Sequence, residues 1–423
     1  MRILIVAPYL PYPPHFGGAS RMHYLMRHVS RHHAISLVCL CEPSEYNEEW
    51  VAAVKELCER MSLVFMEGTN RSLRRGMRRL MQLRATFSRR PYQYFSFHFP
   101  SLQKEIERML AEDDYDIVQV EFPQMAYYQF PTRAKLVLSM HNVEHEIFYR
   151  TFITQNNPLR KFYNYVEWLK FRRDEIRLCA KFHALVTTSQ RDADVFSKLL
   201  PNHLLSVVPN GVDTEYFRTS GTEPEPNTLI FTGTIGYYPN TDGICYFMDA
   251  ILPRIRREVP DVKFLIVGNH PPEEIRRRAS NGVMVTDAVP DVRPYYDRAS
   301  VAIVPLRIGG GTRLKITEAM SMSKPVVSTS IGCEGIEVQH GETILIADDP
   351  EHFAQSVVSL LKQPERRVAL GEKGRALACA KYDWHLSASR REEVYQWVTQ
   401  TNRVVENSQG KMPRPPGKAA PAI

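Results

Sequence analysis

The sequence predicts an α/β protein made of two parallel-sheet domains in succession, and three observations carry that expectation. Short apolar runs of strand length alternate with helical stretches along most of the chain, the pattern that builds parallel sheets from βα units. Residues 218–227, RTSGTEPEPN, break the alternation once, with the composition of a linker. The 423 residues are enough for two domains with complete cores.

The first domain is expected over residues 1–217. Arg2–Ala7 (RILIVA) reads as its first strand, and the apolar stretch stops at Pro8, too short for a secretory leader. A proline-rich loop then leads to Gly17-Gly18, after which Ser20 is placed to cap a helix through about His32. That loop is too long for a G-x-G-x-x-G fingerprint, which removes the main support for an oxidoreductase, but two glycines at a helix start still suit an anion. Ile35–Cys41 is the next strand, Glu48–Arg60 a helix and Leu63–Met66 an extended segment. The buried strands Asp116–Val120 and Leu136–Met140 end at Glu121 and at His141-Asn142. Open parallel sheets bind ligands off such carboxyl ends, so these three polar residues are site candidates. A long helix, Leu159–Ala180, the strand Ala184–Thr188, a helix capped by Ser189 and the strand Leu205–Val208 complete the domain.

The second domain is expected over 228–385. Leu229–Thr232 ends in Gly233, and the helix Thr241–Glu258 is expected to kink at Pro253. Lys263–Val267 follows, then Val283–Thr286 with the 288–291 loop around Val289. Val301–Leu306, Pro325–Thr329 and Thr343–Ala347 are the remaining strands, and helices run through Asp349–Lys362 and Glu365–Ala380. A last helix is placed at 386–405, and the Pro-, Gly-, Lys- and Ala-rich residues 406–423 are expected to be disordered.

The most informative stretch is VAIVPLRIGGGTRLKITEAMSMSKPVVSTSIGCEG, residues 301–335. A strand, three consecutive glycines at 309–311, a helix that Thr312 can cap and a second strand make a βαβ unit. Arg313 and Lys315 fall in the first helical turn, where the macrodipole already places partial positive charge, so they are unfavourable there unless an anion arrives. A phosphate supplies that anion, and the glycines let backbone N–H groups approach it. The pattern is not a Walker A loop, because the third glycine is followed by Thr-Arg-Leu-Lys. Glu318 lies one turn past Lys315 on the same face, so a cation for a diphosphate and a carboxylate for two ribose hydroxyls project side by side. The alternative is a surface Lys-Glu pair beside a glycine-rich turn.

Seven scattered cysteines without C-x-x-C spacing fit a reducing cytosol and free thiols. The net charge of +7 is concentrated in Arg71–Arg90, which holds eight arginines and no acidic residue, with Leu73, Met77, Leu80, Met81 and Leu83 interleaved. Such a segment suits an anionic membrane surface, or is a solvated basic face. No nucleic-acid motif accompanies it, so nucleic acid is not expected as a partner.

At Val208-Pro209-Asn210-Gly211-Val212-Asp213, at Gly309–Glu318 with Ala319-Met320, and at Lys324-Pro325-Val326-Val327, the chain resembles the glycosyltransferase family 4 group of nucleotide-sugar enzymes, over roughly residues 1–405. The resemblance implies the GT-B architecture: two Rossmann-like domains facing across a cleft, donor on the second, acceptor on the first, and a C-terminal helix crossing back. It also implies a retaining, metal-independent transfer with no cofactor beyond the nucleotide-diphosphate sugar. The expected donor-site residues are Gly233, Val289, Arg307, Gly309, Gly310, Gly311, Thr312, Arg313, Lys315, Glu318 and Glu334. Gly17, Gly18, Glu121 and Asn142 fall to the acceptor side or a phosphate loop, and His141 to the reacting centre, where the family has a histidine. Two departures stand out: Gly310 occupies the place of the first of two family glutamates, and Thr234 and Asn240 stand where relatives often carry Arg and Lys. Arg313, Lys315 and Arg307 are then the cations left for the diphosphate, with Glu334 replacing part of the missing carboxylate.

The expected activity is therefore glycosyl transfer to a lipid-linked or polysaccharide acceptor, by a cytoplasmic protein at the inner membrane face. Its rivals are a sugar-nucleotide-binding scaffold without turnover, which Gly310 favours, and a sugar-nucleotide epimerase. A third rival comes from His141–His145, which match the inverted zinc motif H-x-x-E-H, although that motif needs both histidines on one helix and here follows a strand.

Overall fold

Valine, isoleucine and leucine dominate the strands because both faces of each sheet are covered, as parallel sheets require. The computed structural model describes residues 1–66, 80–82, 84–155, 157–279 and 282–405. The expected tail, 406–423, lies outside the described residues, as do 71–79 and 83 of the arginine-rich segment.

The chain forms two compact units, Met1–Pro209 with the C-terminal segment from Ser387, and Asn210–Leu386. In the first, seven parallel strands run β1 Arg2–Ala7, β2 Ala34–Cys41, β3 Arg60–Phe65, β4 Ile117–Glu121, β5 Lys135–Ser139, β6 Ala184–Thr187 and β7 Leu204–Val207, in the order β3-β2-β1-β4-β5-β6-β7. Val6 lies between Val38 of β2 and Val120 of β4, so the winding direction reverses beside β1. The second unit has six parallel strands, β8 Thr228–Thr232, β9 Lys263–Val267, β10 Val283–Val285, β11 Val301–Val304, β12 Val326–Ser328 and β13 Leu345–Ile346, in the order β10-β9-β8-β11-β12-β13. Its reversal falls between β8 and β11, where Ala302 pairs with Ile230. All thirteen strands lie where the sequence places them, shifted at most a few residues at their ends.

Local differences have physical reasons. The first helix starts at Gly17, and Ser20 sits within it, its hydroxyl donating to the Pro14 carbonyl at 2.9 Å instead of capping. The kink expected at Pro253 is a π-helical turn, Phe247–Ile251, between the helices Tyr238–Tyr246 and Leu252–Glu258. Proline has no N–H for the carbonyl four residues back, and the wider turn absorbs the lost bond. A helix at Glu144–Thr154 was not foreseen, and it packs against the long helix Pro158–Cys179. Ser189 caps as expected, accepting from the Asp192 N–H at 3.1 Å. The chain passes between units at Pro209-Asn210 and not in the 218–227 stretch. Residues from 210 belong to the second unit because Val212 bonds the Tyr382 carbonyl at 2.6 Å and Thr214 bonds the Asp383 carboxylate. The expected linker is itself docked there, with Glu225 paired to Arg298 at 2.7 Å.

The carboxyl ends of β8 and β9 meet at two glycines. Gly268 has φ +147°, and a Cβ on it would lie 1.7 Å from the Gly233 carbonyl oxygen. Gly268→Ala is expected to destabilise the second unit by about 2–4 kcal/mol, from the left-handed backbone and the backbone overlap together. Thermal unfolding followed by circular dichroism checks this, and an unchanged midpoint would mean that the two strand ends are not so closely apposed.

Candidate functional site

In the second unit the site candidates gather where β8 and β11 end. Gly233 follows β8 directly, and the loop after β11 carries Gly309 and Gly311 at φ +147° and +67°, where only glycine is unstrained. A Cβ on Gly309 would lie 2.4 Å from the Arg313 guanidinium. That guanidinium is turned onto its own loop, donating to the carbonyls of Gly310 and Gly311, so it shapes the glycine turn. The helix Leu314–Ser321 has Arg313 itself at its N-cap with no side-chain cap; Thr312, expected to cap, instead accepts from Asn210 Nδ2 at 2.7 Å.

Lys315 reaches back across the sheet end. Its Nζ donates to Asn240 Oδ1 at 2.9 Å, lies 3.7 Å from the Phe231 ring centre and would be 3.0 Å from a Cβ on Gly233. Burial, then the charge of Arg313, pushes this ammonium well below its ordinary value, against the pull of Glu318. Burial raises the Glu318 carboxyl to about 7, although Lys315 and the Tyr296 hydroxyl, at 3.4 Å, favour its charged form. Both groups thus hold charge that the protein alone solvates poorly, which is the state a charged, hydroxylated ligand relieves.

The remaining second-unit candidates are dispersed. Arg307 is held by Asp242 through two bonds, of 2.7 and 3.1 Å, and lies over the Tyr246 ring, so its charge is already spoken for. Glu334 sits half-buried in the turn after β12; that turn folds over the strand ends, since a Cβ on Gly332 would meet Ser328 Oγ at 2.3 Å and the Val304 carbonyl at 2.6 Å. Val289, beyond edge strand β10, packs partly against the core.

In the first unit a buried polar chain ends at His141. Glu121, the last residue of β4, bonds His141 Nε2 at 2.6 Å, and the imidazole stacks on Phe122 with ring centres 3.6 Å apart. Gln119 Nε2 donates to Glu121, and the Tyr395 hydroxyl donates to Gln119. Arg21 and Arg391 are fully buried nearby; they donate to the Pro209 carbonyl at 3.2 Å and to Ser139 Oγ at 3.1 Å. Burial pushes the Glu121 carboxyl up, but the bond and charge of His141 and the charges of Arg391 and Arg21 more than offset it, holding it at about 2. An ionised Glu121 is an acceptor only, so His141 Nε2 carries the hydrogen and Nδ1 the lone pair. Burial also holds His141 below its usual value, against Glu121.

Gly17 and Gly18 open the first helix, and Gly18 leaves room for Tyr9, whose hydroxyl would lie 2.1 Å from a Cβ there. Asn142 donates to Glu144 at 3.2 Å. The H-x-x-E-H stretch does not form a paired-histidine helix: His141 precedes the helix, and His145 is held by a different carboxylate, Glu175, at 2.5 Å. No group of three or more His, Cys, Asp or Glu able to hold a metal occurs among the described residues. Sequence reasoning missed Phe231 and Tyr296 in one unit and Gln119, Arg21, Arg391 and Tyr395 in the other, and it flagged Asn240 only as a departure from the family pattern, not as the partner of Lys315. Gln119 alone carried a signal, as a polar residue inside the apolar run DIVQV.

Residues 16–216 match the family described as Glycosyltransferase Family 4, and residues 226–363 match Glycosyl transferases group 1. A Klebsiella pneumoniae protein described as "Uncharacterized 44.6 kDa protein in cps region" is 26% identical over 375 residues, 85% of this chain and 91% of that one. A GDP-mannose-dependent alpha-(1-6)-phosphatidylinositol monomannoside mannosyltransferase of Mycolicibacterium smegmatis is 25% identical, covering 70% of this chain and 80% of its own. Among solved structures, a sucrose-phosphate synthase from Thermosynechococcus elongatus aligns with TM-score 0.68 at 14% identity, over 95% of this chain and 100% of its own. Anabaena HepE in complex with UDP-glucose aligns with TM-score 0.66 at 14% identity, over 94% and 99%. The parallel sheets and the two matched segments together place the chain among the family 4 and group 1 glycosyltransferases of GT-B fold.

Proposed function

We propose that the protein is a retaining glycosyltransferase that moves a sugar from a nucleoside-diphosphate sugar to a lipid-linked or saccharide acceptor during the building of a surface polysaccharide. The observation that carries this is the juxtaposition of Lys315 and Glu318 on the helix that follows the glycine loop, at the sheet reversal of the second unit. The ammonium and the helix N–H groups suit a diphosphate, and the carboxylate suits ribose hydroxyls. The same ammonium and N–H groups, and not the carboxylate, can serve the leaving diphosphate without a metal. The names of the relatives agree in kind, with GDP-mannose in one and UDP-glucose in another, a phosphatidylinositol acceptor in one and a cps region in a third. In the first unit, Glu121 fixes the His141 tautomer so that Nδ1 accepts from a sugar hydroxyl, which orients the reacting group. Work at the cytoplasmic membrane face completes the reading. No described helix is long and apolar enough to cross a membrane.

Calorimetry of nucleoside-diphosphate binding tests the donor site. Lys315→Ala is expected to weaken affinity by about 1.5–3 kcal/mol, the range of a charge-assisted bond. In the wild type the affinity rises through about pH 7 as Glu318 ionises. Ligand that binds only the ionised form gains roughly tenfold between pH 6 and 8 if Lys315 stays charged. Affinity falls again on the alkaline side as the depressed Lys315 loses its proton. Glu318→Gln removes the acid limb. Unchanged affinity in both variants would move the nucleotide elsewhere.

His141→Ala is expected to lower kcat of the folded fraction by roughly 10²-fold or more while nucleotide affinity stays near wild type, with some fall in Tm because the buried Glu121 loses a partner. Normal turnover of the folded fraction would make His141 a packing residue beneath the site.

A further inference from the structure

Large apolar side chains stand exposed on the two helices after β5. On Pro158–Cys179, Leu159, Phe162, Tyr165 and Leu169 are 82%, 69%, 39% and 45% exposed. Their spacing of three, three and four residues places them along one stripe of the helix. Tyr149 and Ile153 of the preceding helix are exposed as well, and Tyr149 and Tyr165 flank Trp168 with ring centres 5.2 and 5.7 Å away. Phe87, 85% exposed, belongs to a segment tied to the same helix, since Lys170 donates to the Ala85 carbonyl at 2.7 Å and Arg173 to the Arg89 carbonyl at 2.6 Å.

The charges on this helix are sorted by depth. Its three acids, Glu167, Asp174 and Glu175, are buried and engaged: by the Tyr92 N–H at 2.6 Å, by the Tyr127 hydroxyl at 2.9 Å and by His145 at 2.5 Å. The exposed charges are all arginines, 160, 172, 173 and 177. Asp174 is shared by Arg173, Arg177 and Arg90, at 3.0, 3.6 and 3.7 Å, and Arg172 has no carboxylate partner among the described residues, so the arginines beside the stripe carry net positive charge. An apolar stripe with aromatic rings, flanked by cations and lacking surface acids, has the composition of an interfacial helix. A two-fold contact with a second copy would set the same cations against each other, which disfavours self-association.

We infer that this face docks on an anionic lipid surface, with Leu159, Phe162 and Leu169 entering the interface and Arg172, Arg173 and Arg177, the arginines on and beside the stripe, over the headgroups. It deepens the lipid side of the function proposed above and rests on that reading for its setting. Its test needs neither donor nor turnover, so loss of docking and loss of transfer are separate results.

Sedimentation of the full chain with phosphatidylglycerol-containing vesicles, and with pure phosphatidylcholine vesicles, tests the inference. Wild type pellets with the anionic vesicles, less so as salt rises. Leu159→Gln with Phe162→Ser, and separately Arg172→Gln with Arg177→Gln, each lower the partition coefficient by roughly tenfold with Tm unchanged, because the substituted side chains are exposed. Equal sedimentation of wild type and both variants, equal binding to both lipids or no binding by wild type would overturn it. So would a lipid-free dimer, seen by sedimentation velocity, that Phe162→Ser dissolves.

Discussion

A parallel strand pair cannot be joined by a tight turn, so every strand here is followed by a crossover, and all carboxyl ends of one sheet lie on one side. Where the winding reverses, beside β1 in one unit and β8 in the other, the crossovers diverge and leave the strand ends uncovered. The chemistry-bearing residues collect at those places because of that constraint. Glu121 ends β4 next to β1, and Gly233 and the glycine loop end β8 and β11.

The two reversals are furnished differently. In the second unit, the ammonium of Lys315 rests on Phe231 and Asn240, and the Glu318 carboxyl is raised to about 7, so both charges are poorly satisfied. In the first unit the charge is satisfied: Glu121 lies at about 2 among His141, Arg391 and Arg21. A site that must release its ligand gains from the former, and a group that must hold one tautomer gains from the latter. Arg391 and Tyr395 come from the last helix, Trp384–Val405, so that helix completes the surroundings of β4.

Strand positions were legible because buried parallel strands are unbroken apolar runs, as in RILIVA and VAIV. The candidates Gly233, Lys315 and Glu318 were legible because glycine spacing and cations at the wrong helix end survive without tertiary information. Capping was less so: Ser20 and Thr312 are both good N-cap residues by type, yet one is buried inside a helix and the other bonds Asn210. Arg307 looked available because the pairing partner, Asp242, is far away in sequence. The helix Glu144–Thr154 escaped notice because its first turn is polar and the partners of His145 and Glu146, Glu175 and Arg191, lie far along the chain. Arg21, Arg391 and Tyr395 reach one buried cluster from opposite ends of the chain, which no local pattern reveals.

The claim that a nucleoside diphosphate is held at the β8–β11 reversal is tested most directly by a thermal-shift screen of UDP, GDP and ADP and their sugars. A ligand that binds the native state alone raises Tm as its concentration rises. The account predicts a saturable rise with one base series, shared by the diphosphate and its sugar. No rise with any of the three series would contradict it.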